Sequence, residues 1–186
     1  MVSKTQIANF SLSKLGQPAV ANIDTDSVKA ARIMSLFWDK VRGALLTENT
    51  WRFSIKRIGL APDVDAPSWG YSYSYTVPSD FRKLIRVKDN IDYDLEGDKI
   101  LTNDSGTLYI SYIADITDPT VFPSTFVEVL SSRLAYEACE ELTQSNTKKD
   151  MLLREYDYLI KIAKNVDISN DPIEDLEEDD WVIRRY

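Results

Sequence analysis

Apolar residues recur every three or four positions towards both ends of the chain and every second position through its middle, so helices are expected to flank a sheet. Ser3 supplies an N-cap, and Ile7, Phe10, Leu12 and Leu15 follow at helical spacing until Gly16-Gln17-Pro18 stops the run, which predicts a first helix over 3–15. After the linker AVANIDTD, with Thr25 or Asp26 as cap, Val28, Ala31, Met34, Trp38, Val41 and Leu45 mark a long second helix. Its continuation, TWRFSIKRIGL, fits either more helix or an extended segment, because Phe53-Ser54-Ile55 alternates; helix is preferred, over 26–58.

From Trp69 to Ala114 the period is two. Strands are read at Tyr71 to Val77, Lys83 to Lys88, Ile91 to Leu95, Lys99 to Thr102 and Thr107 to Ile113, separated by turns at Pro78-Ser79-Asp80, Asp89-Asn90, Glu96-Gly97-Asp98 and Asn103 to Gly106. The spacing predicts an antiparallel β-meander inserted at about 70–115. Helical spacing returns after Pro123, with Thr125 and Glu128 spaced as a capping box and Val127, Leu130, Leu134, Ala135, Ala138 and Leu142 as a stripe over 124–144. A tight loop at Gln144-Ser145-Asn146 leads to a fourth helix over 147–167, antiparallel to the third. The expected class is α+β: a bundle of about four helices carrying an inserted antiparallel meander over 1–168, followed by an acidic C-terminal tail over 169–186.

Charge sharpens the division between body and tail. The formal net charge is −8, and eight acidic residues against Arg184 and Arg185 give −6 between Asp167 and Tyr186, which leaves −2 for the rest. The acidity therefore belongs to the C-terminal end, and the nearly balanced body is expected to have no basic stripe for gripping phosphates. Adjacent carboxylates repel and offer little apolar surface, so that segment is not expected to fold alone. Its last residues break the pattern. Trp181, Val182, Ile183, Arg184, Arg185 and Tyr186 are the candidate partner-binding residues, an anchor docking on another subunit; folding back on the chain's own bundle is the alternative.

Several chemistries lack their residues. There is no histidine, which removes Ser-His-Asp and Cys-His nucleophile systems and the usual zinc sites. The six glycines form neither GxGxxG nor GxxxxGK[ST]. Asp92-x-Asp94-x-Glu96-Gly97 imitates the opening of a calcium loop, but position twelve is Asn103 and the flanks read as strands, so a polar hairpin is expected. Glu137, Glu140 and Glu141 share one helix face as solvated neighbours, and Cys139 sits in an apolar stripe as a small buried hydrophobe. No catalytic, metal or cofactor residues are assigned. The Tyr71, Tyr73, Tyr75 ladder fits sheet packing or a subunit contact better than base stacking, since no basic residue follows until Arg82. The N-terminus lacks the apolar region of a signal peptide, no apolar run approaches the ~18 residues of a membrane helix, and the lone cysteine suits a reducing compartment.

A set of short motifs adds a resemblance. Leu15-Gly16-Gln17-Pro18, Val41-Arg42 with Ala44-Leu45-Leu46, Trp51-Arg52-Phe53, Tyr75 with Val77-Pro78-x-Asp80, Glu96-Gly97, Tyr112 to Pro119, and Phe122, Phe126 and Arg133-Leu134-Ala135 occur in that order across roughly residues 10–140. In this the chain resembles the head-to-tail adaptor family of short-tailed bacteriophages, also called tail tubular protein A. It departs from the pattern at Gly43, where an acidic residue is expected after the arginine. The resemblance implies a structural virion protein of the tail and neck, assembled in the host cytoplasm. It implies a ring homo-oligomer, a dodecamer, that joins the portal protein to the tail tube or nozzle and surrounds the path of genomic DNA without binding it specifically, with no membrane and no cofactor. The other readings left open are a tail-associated cell-wall glycan hydrolase, which would need paired carboxylates across a cleft, and a small acidic adaptor or chaperone of the host cell.

Overall fold

A computed structural model describes residues 2–169. The order is α1 (Lys4–Leu15), α2 (Lys29–Glu48), β1 (Ile55–Leu60), β2 (Tyr73–Thr76), β3 (Phe81–Val87), β4 (Tyr93–Glu96), β5 (Lys99–Thr102), β6 (Leu108–Ala114), α3 (Ser124–Thr143) and α4 (Asn146–Ser169). The expected α+β class is found, with four α-helices and two small antiparallel sheets among the described residues.

Helix α1 begins as expected. The Ser3 hydroxyl accepts from the Gln6 amide while the Gln6 side chain accepts from the Ser3 amide, and Gly16 closes the helix at a φ of 69°. The caps expected for α2 and α3 are not used. Asp26 instead accepts from the Ala21 and Asn22 amides at 2.8 and 3.1 Å, closing the linker on itself, and α2 starts at Lys29 behind Val28. Helix α3 starts at Ser124 behind Pro123, which places Thr125 already inside the first turn.

The second helix does not run to residue 58. Asn49 turns extended after Glu48, and the buried Trp51 donates its indole N–H back to the Leu45 carbonyl at 2.9 Å. Trp51 also meets Phe126 edge-on, with ring centroids 4.9 Å apart. Burying that ring against α3 rewards a turn over another helical step. A short 3-10 turn, Arg52–Ser54, then sends the alternating residues into β1.

Nor is the sheet one meander. The strand orders are β1-β6-β3 and β2-β5-β4, so consecutive strands β3 and β4 lie in different sheets. The crossing is made by Lys88–Asn90, where Asp89 and Asn90 hold φ of 63° and 53°, conformations that Asp and Asn tolerate better than most residues. The β4–β5 hairpin turns at Gly97, as its sequence predicts, pairing Glu96 with Lys99.

Two apolar clusters result. One fills the space between the helices around Leu12, Met34, Leu45, Phe126, Leu130 and Leu134, all essentially sealed from solvent. The other gathers Leu60, Tyr75, Val87, Ile100, Leu108 and Ile110 from the two sheets, and Ile116 packs against both clusters. Cys139 is a free, fully buried thiol in the helical cluster.

Candidate functional site

The residues named as an anchor, Trp181 to Tyr186, lie outside the described residues. What is described is where their segment leaves the body. Helices α3 and α4 pack antiparallel, with the Arg133 guanidinium 5.0 Å from the Tyr156 ring centre. That register carries the end of α4 to the level of the start of α3, the end of the bundle where Trp51, Phe53 and Phe122 join the helices to the sheets.

Two of the three carboxylates considered for acid–base chemistry are paired with cations. Glu137 meets Lys40 at 3.2 Å and Arg133 at 3.4 Å, and Glu140 meets Lys149 at 2.8 Å. The hydrogen bond from Lys149 holds the Glu140 carboxyl below its ordinary value, the reverse of what a proton-donating acid requires. Asp94 and Glu96 alternate along the exposed strand β4, a line of carboxylates and not a wrapping loop. Among the described residues, no group of three or more His, Cys, Asp or Glu side chains could hold a metal ion.

The tyrosine ladder divides by burial. Tyr75 is buried in the sheet cluster and its hydroxyl donates to the Asp104 and Gly106 carbonyls at 3.0 and 2.9 Å. Tyr71 donates to Asp94 at 2.8 Å. Beside it Trp69 stands 86% exposed in the loop between β1 and β2.

The junction between bundle and sheets carries a polar node. Arg42, only 3% exposed, ion-pairs with Asp115, donates to the Ile116 carbonyl at 2.7 Å and reaches Asp39 at 3.1 Å. Arg82 takes the other Asp115 oxygen at 2.7 Å. Gly43 lies beside this node, where a Cβ would sit in ordinary contact, 3.5 Å from the Arg82 guanidinium. Burial alone would raise the Asp115 carboxyl, but the hydrogen bonds and charges of the two arginines outweigh it and hold the group below its ordinary value. Nearby, Asp80 accepts from Lys56 at 2.7 Å and from the Tyr112 hydroxyl at 2.9 Å. Burial and that bond push the Tyr112 phenol up to about 12.

The outer face of the β1-β6-β3 sheet corrects the expectation that the body has no basic stripe. Three rows cross it. Ile55, Ile113 and Lys83 form the first, with Ile113 fully buried against the helices; Arg57, Ser111 and Arg86 form the second; Gly59, Tyr109 and the following Lys88 form the third. The second and third rows lie beyond the helices and line an open groove of about 480 Å³. Lys88 sits 5.4 Å from the centre of the half-exposed Tyr109 ring. Gly59 lies under that ring so closely that a Cβ would come within 3.0 Å of it and 2.8 Å of Thr107. Arg57, Lys83 and Arg86 are exposed and make no ion pair among the described residues, while Lys88 has its neighbour Asp89 at 3.5 Å.

Linear reading misses this face for a definite reason. Lys83 and Arg86 are three residues apart, which in a regular strand puts them on opposite faces. A bulge between Leu84 and Arg86 adds one residue and returns Arg86 to the side of Lys83. The available signal was the recurrence of cations along two separate strands.

No protein-family model and no curated protein matches the chain. No helix among the described residues is long and apolar enough to cross a membrane.

Proposed function

We propose that this chain is a structural head-to-tail adaptor of a short-tailed phage virion, forming a ring, a dodecamer, between the portal and the tail tube or nozzle, through which the genome passes. The observation that carries this beyond the motif order is the amount of apolar surface left without a partner. Met151, Tyr158 and Ile162 form an exposed stripe on α4, Leu36 stands 70% exposed on α2, and Val64 and Trp69 project from the β1–β2 loop. Scattered single residues are ordinary on a surface, but a stripe at helical spacing together with a largely exposed tryptophan fits contacts with other chains. A ring needs such surface twice per subunit, because each copy meets one neighbour head and another tail.

In this reading the carboxylates between Asp171 and Asp180 keep free subunits apart, and Trp181, Val182, Ile183, Arg184, Arg185 and Tyr186 dock on the portal. The test is mass measurement of the chain alone and mixed with its candidate portal. Full-length chain should join the portal as a ring, and a variant lacking residues 171–186 should keep the circular dichroism of the body yet fail to attach. Normal attachment of that variant, or the absence of any portal complex, would overturn the reading.

A further inference from the structure

The cationic sheet face invites a ligand of stated chemistry. Arg57 and Arg86 flank Ser111 on the two outer strands, which places their backbones about 10 Å apart at ordinary strand spacing. Lys83 and Arg86 on β3 and Lys88 just after it span the four-residue step from Ile113 to Tyr109 on β6, about 13 Å. Among the described residues no carboxylate pairs with Arg57, Lys83 or Arg86, in a body whose charge is otherwise nearly balanced. The face is held rigid from behind, since Val87, Ile110 and Leu108 seal its other side in the sheet cluster. A line of exposed cations, of which only Lys88 has a carboxylate beside it, fits the phosphate backbone of a nucleic acid.

We propose that the outer face of the β1-β6-β3 sheet is a sequence-independent contact for the phosphodiester backbone of duplex DNA, made by Arg57, Lys83, Arg86 and Lys88 around Tyr109. No base-reading element accompanies these side chains: the sheet offers charge and one phenol hydroxyl at backbone height, which positions a duplex without reading it. Four phosphate contacts give weak binding that falls steeply with salt, with a slope of log K against log salt of about −3.6. Such contacts form and break in register after register, so a duplex is centred by them without being held. In an adaptor ring, the reading on which this use rests, the same face on each copy would touch the genome in transit. An acidic peptide, including the chain's own segment after Asp167, is the competing occupant.

The test is fluorescence anisotropy of a labelled duplex of mixed sequence, titrated with the full chain at several sodium chloride concentrations. Expected is a dissociation constant of about 10⁻⁴ to 10⁻⁶ M at physiological salt, indifferent to sequence, with the slope above. The double variant R57E/R86E should lose that binding by at least tenfold and halve the slope to about −1.8, while R154E, on exposed α4, should leave both unchanged. If R57E/R86E fails to fold by circular dichroism, K83Q/K88Q serves in its place and should also halve the slope. No binding, binding equally weakened by R154E, or binding that appears only after residues 171–186 are removed would overturn the assignment, the last by giving the face to the acidic segment. None of these outcomes involves the portal, so failure here is distinct from failure of the adaptor reading.

Discussion

Arg42, in the middle of α2, and Asp115, 73 residues later at the end of β6, form an ion pair at the place where the helical bundle meets the sheets. The arginine is almost wholly enclosed, and the carboxylate has a second arginine, Arg82, on its outer oxygen.

Removing one partner of this pair should cost far more than the pair itself contributes. Asp115→Ala leaves Arg42 charged, buried and short of an acceptor, and is expected to destabilise the protein by about 3–5 kcal/mol. Arg82→Ala removes the more exposed partner and should cost under about 1 kcal/mol. Urea unfolding of both variants checks the ratio; equal losses would show that Arg42 finds another acceptor.

Gly59 should not tolerate a side chain. A methyl group there meets Thr107 at 2.8 Å and Tyr109 at 3.0 Å, so Gly59→Ala is expected to cost about 1–3 kcal/mol through displacement of those side chains. Thr107→Ser removes the nearer methyl and should recover part of the loss. A double-mutant cycle in which the two changes simply add would exclude the clash as the cause.

Phe126 joins three other rings: Trp51 at 4.9 Å, Phe53 at 4.8 Å and Phe122 at 4.8 Å between centroids. Phe126→Ala is expected to cost about 3–5 kcal/mol by opening a cavity at the start of α3. The change should also expose Trp51, shifting its fluorescence to longer wavelength in the folded state.

Stability should fall at both ends of the pH scale. At the acid end, Lys56 with Tyr112 lowers Asp80, and the two arginines lower Asp115 against the opposing effect of burial. Carboxyls whose folded values lie below their unfolded values contribute fully above about pH 4, and the contribution is lost as pH falls through the folded values. At the alkaline end, Tyr112 is raised by burial and by Asp80 from 10.0 to about 12, so its contribution is complete below pH 10 and disappears as pH climbs to about 12. Tyr112→Phe should flatten that alkaline limb in part, since burial also raises Tyr75 and Tyr156. Thermal midpoints across the pH range would measure both limbs.

Periodicity made most of the helices legible. Ser3 and Gly16 bracket α1 because local chemistry, a reciprocal cap and a left-handed glycine, decides those ends. Where long-range packing decides, local chemistry misleads. The end of α2 is settled by Trp51 finding Phe126 some seventy-five residues away, and the strand order by which faces the sheets bury, neither of which a window of sequence contains. Thr125 matched a cap by spacing yet lost to Pro123, whose fixed backbone starts the helix two positions earlier. The basic face was hidden by the bulge after Leu84, which changes the parity of β3 and with it the side on which Arg86 appears.

Among the described residues, strands β1 and β3 each pair only with β6, which lies between them and follows both in the chain. As the polypeptide leaves the ribosome, neither has a neighbour for its amides until residue 114 has been made. Closure of that sheet therefore waits on contacts far apart along the chain, and a nascent chain paused before β6 would present two unsatisfied edges to chaperones or to other chains.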